Sequence, residues 1–322
     1  MRILFCGETF PEARRHLERQ LAAEISTRSS ERDEIAACDR SNLRFAVETA
    51  DVIVPLMSRI DADLIRAGRF RLIQQWGAGL EGVDLEAARS KGIRVANVPA
   101  SGNNADSVAE LTILLILALL RDLAKCQANV REGLLGVPMG RMLAGRTICL
   151  YGLGSIARAT AQRLWPFGVR LIGITRDPKA EKVAAFGLDA VYSIERREPA
   201  LAQADVLVVC NRMTAETRGC IDQAALRALR PGSYLVNAAR GGLLDYDAFL
   251  AALRDGHLAG AGLDVFWDEP IPPEDPLLAL PNVIATPHVA GVTDRSYQEI
   301  AAAVATNIDR LRRGLDPLNC VV

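Results

Sequence analysis

One short segment, residues 147–178, constrains the fold of this chain more than any other. Its apolar residues 147–151 predict a buried strand, residues 156–165 a helix, and residues 169–174 a second strand. The segment is therefore predicted to be a βαβ unit, and its first turn has the pattern G-x-G-x-x-A.

The small residues of that turn each have a physical role. Gly152 permits the tight turn, Gly154 lets the backbone approach a pyrophosphate, and Ala157 allows close packing of the helix on the strand. The helix N-terminus, near Ser155 and Ile156, offers N–H groups and the positive end of its dipole to phosphates. The segment therefore predicts a dinucleotide-binding site.

The residues after the second strand bear on which dinucleotide binds. An NAD site usually carries an acidic residue there for the ribose hydroxyls. Here Thr175 and Arg176 take that place, which favours the 2′-phosphate of NADP. A small shift would instead bring Asp177 to the ribose, and Arg176 could be only a solvated loop charge. We expect NADP or NAD, with NADP preferred.

The composition is that of a globular protein. Half of the 322 residues are hydrophobic and the net charge is −1, so no nucleic-acid partner is indicated. Seven cysteines without a Cys-x-x-Cys pair, and only three histidines, argue against a metal site and suit a reducing cytoplasm.

The longest apolar run, 111–120, is about half the length that spans a bilayer, so we expect a buried helix and no membrane partner. Residues 1–7 predict a first strand and not a signal peptide.

Strand and helix patterns alternate along the rest of the chain, which predicts an α/β fold with parallel sheets in two domains. Residues 105–127 predict one long helix. A last long helix, 293–313, is expected to return to the first domain. The predicted domains are therefore 1–102 together with 290–322, and 103–289.

Three polar residues lie at or after predicted strand ends, where ligands of open parallel sheets bind. Arg240 presents a planar fork that matches a carboxylate. His288 can act as a general base toward a hydroxyl or, protonated, as a general acid toward a carbonyl. Glu269 could orient the histidine ring, but Asp264 or Asp268 could equally do so. Each of the three could also be structural: a surface arginine, a hydrogen-bonded core histidine or a solvated loop acid.

A glycine turn in the first domain, residues 77–79, follows another predicted strand. Its unhindered backbone N–H groups could bind a carboxylate as an anion nest. Alternatively, it is an ordinary turn.

The chain resembles the D-isomer-specific 2-hydroxyacid dehydrogenases over nearly its whole length. This family includes D-3-phosphoglycerate dehydrogenases and glyoxylate/hydroxypyruvate reductases. The motifs that carry the resemblance are residues 77–84 (GAGLEGVD), 107–110 (SVAE), 152–156 (GLGSI), 214–219 (TAETRG), 237–242 (NAARGG), 262–266 (GLDVF), 269–270 (EP) and 286–288 (TPH).

The resemblance implies roles for the three polar residues. Arg240 looks like the family arginine that holds the substrate carboxylate and polarises the 2-oxo group. His288 looks like the acid/base, and Glu269 like its paired carboxylate. The implied reaction is hydride transfer between nicotinamide and C2 of a small 2-oxo or 2-hydroxy acid.

The resemblance also implies ligand contacts and an architecture. Ala78 and Gly79 match the backbone donors to the substrate carboxylate. The implied fold is a flavodoxin-like substrate domain and a Rossmann cofactor domain, both doubly wound, with a cleft between them, in a homodimer packed through the cofactor domain. The residues implied to contact the cofactor are Val108, Gly152, Gly154, Ser155, Ile156, Thr175, Arg176, Asn211, Arg212, Ala238, Ala239, Asp264 and Gly291.

The chain departs from the family near the adenosine end of the cofactor. Many members carry leucine and proline where this chain has Asn211 and Arg212, and Arg212 would add positive charge for a 2′-phosphate. Thr175 replaces the usual acid, so both departures favour NADP. The chain ends at Val322, which leaves no length for an additional regulatory domain, so control by serine is not expected.

Other functions remain as alternatives to a glyoxylate or hydroxypyruvate reductase. Arg59 could bind a substrate phosphate and indicate a D-3-phosphoglycerate dehydrogenase without a regulatory domain, or it could be a surface charge. A dinucleotide-sensing binding protein is the alternative from another class, since the C-terminal binding protein corepressors share this architecture and the same three polar residues. The sequence has no peptide-binding appendage, which favours the enzyme. A formate dehydrogenase is a further alternative. Formate dehydrogenases of the family tend to carry glutamine at the position of Glu269, so the glutamate argues against this function.

Overall fold

A computed structural model describes residues 1–7, 9–25, 33–39 and 41–322 of the chain. Two compact units divide it: Met1–Asn104 with Thr293–Val322, and Ala105–Val292. The sequence-based boundaries, after residues 102 and 289, lie two and three residues away from these. The first unit is therefore discontinuous in sequence.

Strands and helices alternate along the described residues. The strands are β1 (Arg2–Cys6), β2 (Glu34–Cys38), β3 (Val52–Val54), β4 (Leu72–Gln74), β5 (Arg94–Ala96), β6 (Thr147–Tyr151), β7 (Arg170–Thr175), β8 (Ala190–Ser193), β9 (Val206–Val209), β10 (Ser233–Asn237), β11 (Leu258–Leu263) and β12 (Val283–Ala285). The α-helices are α1 (Pro11–Ile25), α2 (Leu43–Ala46), α3 (Ala62–Ala67), α4 (Leu85–Lys91), α5 (Gly102–Leu120), α6 (Leu123–Arg131), α7 (Ser155–Leu164), α8 (Ala180–Phe186), α9 (Arg197–Leu201), α10 (Gln223–Ala228), α11 (Tyr246–Arg254) and α12 (Asp294–Arg312).

The first unit contains a five-stranded parallel sheet in the order β2-β1-β3-β4-β5. The inner strands β1, β3 and β4 consist almost wholly of buried residues, as expected for parallel strands covered on both faces. The edge strand β2 is absent from the sequence prediction, because its residues are partly exposed and mostly small.

Helix α12 completes this unit from the far end of the chain. It packs on α1, and Asn307 in α12 donates from Nδ2 to Oε1 of Gln74 in β4 at 2.8 Å. Both amide side chains are almost completely buried, so this hydrogen bond belongs to the core of the unit.

The second unit contains a seven-stranded parallel sheet in the order β12-β11-β10-β9-β6-β7-β8. From β6 the chain runs outward to β8, and it then returns to β9 and continues outward on the other side to β12. The strand order therefore reverses between β6 and β9. In sheets of this kind, ligands bind beyond the carboxyl ends of the strands at such a reversal.

Helix α5 packs within the second unit. Its length and apolar composition alone would suffice to cross a membrane, but 56% of its most apolar window is buried. Two glycines of β11 provide the space, because a Cβ at Gly262 would lie 2.9 Å from Leu115 and one at Gly260 would lie 3.3 Å from Leu119. The buried helix predicted for the apolar run 111–120 is confirmed.

The single helix predicted over residues 105–127 is wrong. Helix α5 ends at Leu120, and α6 begins at Leu123. Between them, Asp122 adopts a left-handed conformation (φ 48°), and its carboxylate accepts the N–H of Lys125 at 3.3 Å. Aspartate tolerates this conformation because its short side chain can form local hydrogen bonds, and here it caps the new helix.

Candidate active site

Arg240, Glu269 and His288 lie in three loops that follow neighbouring strands. These loops come after β10, β11 and β12, which stand side by side in the sheet of the second unit. Because the strands are parallel, their carboxyl ends meet at one edge, so the three residues predicted separately are brought to the same edge.

His288 and Glu269 form a short ion-pair-like hydrogen bond. Nδ1 of His288 lies 2.6 Å from Oε2 of Glu269, and the two side chains are 25% and 14% exposed. The other carboxylate oxygen accepts the N–H of Phe266 at 2.9 Å. Because an ionised carboxylate only accepts, Nδ1 carries the proton of this bond, and Nε2 is the ring nitrogen that Glu269 does not engage.

The charge of this pair follows from its surroundings. Burial alone would raise the pKa of the Glu269 carboxyl, but the hydrogen bond and charge of His288 outweigh it. The Phe266 N–H and the nearby Arg240 guanidinium add to this effect, so the pKa of Glu269 lies below its ordinary value. Glu269 is therefore ionised at neutral pH and accepts the Nδ1 proton of His288.

A buried carboxylate holds the loop that carries His288. Asp264 is fully buried, and its Oδ1 accepts the Thr286 hydroxyl at 2.6 Å and the Val289 N–H at 2.9 Å. Its Oδ2 accepts the Ala290 N–H at 2.8 Å. Burial raises the pKa of Asp264 despite these donors. The predicted contact of Asp264 with the cofactor stays a prediction; the observed side-chain hydrogen bonds are all to this loop.

The same loop is tied to α5 on its other side. The Ser107 hydroxyl, itself buried, donates to the Ala290 carbonyl at 2.6 Å. His288 adopts a left-handed φ of 54°, which the bonds on both sides of it stabilise. Sequence analysis assigned no role to Ser107 or Thr286, although both belong to motifs shared with the family; the available signals were those motifs and a serine among the buried apolar residues of α5.

Close backbone packing joins the loops of Arg240 and Glu269. A Cβ at Gly241 would overlap the carbonyl carbon of Phe266, so only glycine fits there. The Arg240 carbonyl accepts from Nδ2 of Asn237 at 2.8 Å, and Nη1 of Arg240 donates to the Ala239 carbonyl at 2.7 Å. The arginine is thus fixed at its backbone beside the His288–Glu269 pair.

The glycine-rich turn after β6 fits a dinucleotide pyrophosphate. Gly152 has φ +99°, and a Cβ there would overlap Oδ1 of Asn211, so this position must be glycine. A Cβ at Gly154 would meet nothing within 4 Å, which shows open space in front of α7, where Ser155 and Ile156 form the first turn. Oδ1 of Asn211 is buried and lacks a hydrogen-bond partner among the described residues, so a ligand donor could satisfy it. These features fit the predicted cofactor.

The residues predicted for the adenosine ribose lie at the end of β7. Thr175 is its last residue, and the exposed Arg176 follows. Asp177, the acid that would favour NAD, lies 3.1 Å from Nζ of Lys179 in an exposed ion pair. Arg212 is exposed in the loop after β9, the strand next to β6.

The remaining predicted ligand residues occupy both units. In the second unit, Val108 is buried in α5, Ala238 and Ala239 directly follow β10, and Gly291 follows the His288 loop. In the first unit, Ala78 and Gly79 follow β4, and the Ala78 carbonyl accepts from Nδ2 of Asn97 at 2.8 Å. Arg59 is exposed in the loop after β3. The ligand contacts predicted for these residues stay predictions.

Comparison with known proteins agrees with this arrangement. Residues 113–290 match the family model of the D-isomer specific 2-hydroxyacid dehydrogenase NAD binding domain. The chain is 34% identical over 283 residues to a glyoxylate reductase of Korarchaeum cryptofilum, covering 85% of this chain and 83% of that protein. It is 35% identical over 274 residues to a D-3-phosphoglycerate dehydrogenase of Mycobacterium leprae, covering 84% of this chain but only 51% of that longer protein.

A solved structure extends the similarity to the whole chain. The TT0316 protein from Thermus thermophilus superposes with a TM-score of 0.84 at 33% identity, and 100% of each chain is covered. The family consists of oxidoreductases that act on small 2-oxo and 2-hydroxy acids with NAD(P). The chain therefore belongs to the D-isomer specific 2-hydroxyacid dehydrogenases and is an NAD(P)-dependent oxidoreductase.

Proposed function

We propose that this enzyme reduces a small 2-oxo acid of the glyoxylate or hydroxypyruvate type, with His288 as the proton donor. The observation that carries the proposal is the 2.6 Å contact between His288 and Glu269 at the sheet edge that Arg240 shares. The similarity to a glyoxylate reductase, over most of both chains, supports this choice of substrate.

The residues divide the chemistry among them. Reduced nicotinamide, when bound, would supply a hydride to C2 of the substrate. His288, in its protonated form and oriented by Glu269, gives its proton to the former carbonyl oxygen, so the product is a neutral hydroxyl. Arg240 binds the substrate carboxylate through its planar guanidinium and draws electron density from the adjacent 2-oxo group.

We further propose that NADP is preferred over NAD. Thr175 puts a neutral hydroxyl where an acid would bind the ribose, and Arg176 and Arg212 add positive charge at the same corner. Asp177 is paired with Lys179, which weakens the main argument for NAD.

A homodimer built on the second unit is also proposed. Helix α6 and the following loop, residues 123–142, expose large apolar side chains, with Leu135 92%, Met139 95% and Val130 75% exposed. Exposed apolar surface of this extent is typical of an interface between subunits. Sedimentation of the wild-type protein and of Leu135→Glu should give a dimer and a monomer; a monomeric wild type would refute the proposal.

Initial rates with NADPH and NADH test the reaction. The substrates are glyoxylate, hydroxypyruvate, phenylpyruvate and 3-phosphohydroxypyruvate, and the variants are His288→Ala and, as a matched control, His257→Ala. His257 lies in a turn away from the three site residues, and its Nε2 lies 2.9 Å from the Leu226 carbonyl. We expect turnover of the first two acids that falls about 10²–10⁴-fold in His288→Ala and is unchanged in His257→Ala.

Other outcomes would redirect the proposal. Selective turnover of 3-phosphohydroxypyruvate would replace the small-acid substrate with a phosphorylated one. Tight cofactor binding without turnover of any acid would favour the dinucleotide sensor.

A further inference from the structure

We propose that Lys182 determines cofactor specificity by binding the 2′-phosphate of NADP. This inference rests on the NADP preference proposed above and assigns the main contact to a residue that the βαβ motif does not include. Lys182 lies in α8 (Ala180–Phe186), the helix that follows the loop of Arg176.

The first observation is where its ammonium points. Nζ of Lys182 donates to the hydroxyl of Thr175 at 3.4 Å, although seven residues separate them in sequence. Thr175 ends β7, at the position where an acid would bind the 2′-hydroxyl of the ribose. The ammonium of Lys182 therefore lies at the 2′ side of the expected ribose position.

The second observation is that the Lys182 ammonium has few hydrogen-bond acceptors within the described part of the chain. Lys91 shows a satisfied lysine in the same protein, since its Nζ donates to three backbone carbonyls at 2.5–2.7 Å. Lys182 has one long bond to a neutral hydroxyl and, within the part of the chain that the structure describes, no ion pair. A half-buried cation with unused donors is suited to an anion that arrives with the ligand.

The neighbouring cations differ from Lys182 in this respect. Lys179 already lies 3.1 Å from Oδ2 of Asp177. Arg176 acts on Glu216 electrostatically: the pKa of the Glu216 carboxyl is lowered mainly by the Thr214 hydroxyl, which donates at 2.6 Å, and in smaller part by the charge of Arg176. A bound 2′-phosphate would share Arg176 with Glu216, whereas no described carboxylate competes for Lys182.

Calorimetric titration with adenosine 2′,5′-bisphosphate and adenosine 5′-monophosphate tests the proposal without catalysis. Lys182→Met removes the charge but keeps the length, and Lys179→Met is the matched control from the same segment. We expect Lys182→Met to weaken the bisphosphate about tenfold or more, as the loss of a charged hydrogen bond implies. Binding of the monophosphate should change less than about twofold in both variants, and Lys182→Arg should retain bisphosphate binding.

The possible outcomes distinguish the role of Lys182 from the NADP preference on which it rests. If the wild type binds both nucleotides equally, the NADP preference itself fails, and the role of Lys182 fails with it. If the wild type prefers the bisphosphate but Lys182→Met keeps that preference, only the role of Lys182 is refuted. Equal losses in Lys179→Met and Lys182→Met would reduce the effect to general surface charge and overturn the specific role.

Discussion

Two regions along the carboxyl edge of the second sheet are built in opposite ways. Around His288, each polar group described above already has a protein partner: Glu269 holds the ring, and Asp264 and Ser107 hold the loop. At the end of β7, Arg176 and Lys182 surround Thr175 with positive charge that the protein itself neutralises little. The first arrangement fixes geometry before a ligand arrives, as proton transfer requires. The second leaves charge for the ligand to neutralise, which suits discrimination between cofactors.

Removing the buried carboxylate of Asp264 should disturb the loop that carries His288 and have the largest effect on catalysis. In Asp264→Ala, the Thr286 hydroxyl and two backbone N–H groups lose their acceptor. We expect kcat to fall about a hundredfold, because misplacement of a reacting group by about 1 Å has this effect. Steady-state rates would check this, and an unchanged kcat would show that the loop does not need Asp264.

Neutralising Glu269 should have a smaller effect. Glu269→Gln keeps a hydrogen-bond acceptor but removes the negative charge beside the His288 ring. Reduction should slow about tenfold at neutral pH. Steady-state rates check this, and an unchanged kcat would contradict the proposed pairing.

The same variant has a consequence for stability. Because the pKa of Glu269 is lower in the folded protein than its ordinary value of 4.5, its ionisation stabilises the fold above that pH. This contribution is lost as the pH falls through the folded-state pKa. Urea unfolding at neutral pH and at a pH below the ordinary glutamate pKa should show a smaller acid-induced loss of stability in Glu269→Gln than in the wild type.

At the ribose end, charge removal should change cofactor choice without changing the chemistry. Arg176→Ser should raise KM for NADPH about fivefold, because a partly exposed charged contact contributes about 1 kcal/mol. KM for NADH and kcat should stay constant. A parallel rise in both KM values would show that Arg176 holds a part common to the two cofactors.

The smallest expected effect is a gain in NADPH affinity. Glu216→Gln removes the carboxylate that interacts electrostatically with Arg176, so NADPH should bind about twofold more tightly. High salt should abolish the gain, since exposed charges are screened. Weaker NADPH binding in Glu216→Gln would mean that the glutamate contacts the cofactor itself.

The location of the site follows largely from sequence. Strand periodicity and the rule that parallel strands bind ligands at their carboxyl ends suffice to group Arg240, Glu269 and His288. The choice of Glu269 over Asp264 and Asp268 came from family resemblance, and the 2.6 Å contact supports it.

What the sequence could not provide are contacts that depend on tertiary structure. The bond from Ser107 to Ala290 joins residues 183 positions apart, and no local pattern indicates it. The direction of the Lys182 side chain depends on the start of α8, a helix that the sequence analysis did not predict. The break at Asp122 was missed because helix periodicity continues on both sides of one left-handed residue.

The position of α12 has a consequence for synthesis on the ribosome. The first unit needs this helix, whose Asn307 reaches the buried Gln74, yet Asn307 is translated 233 residues after Gln74. The second unit, continuous from Ala105 to Val292, can fold before α12 is synthesised, whereas residues Met1–Asn104 still lack the helix that completes their unit. A nascent chain stalled before residue 293 would therefore expose the uncovered face of the first sheet, which makes translation pauses in this region a specific risk for aggregation.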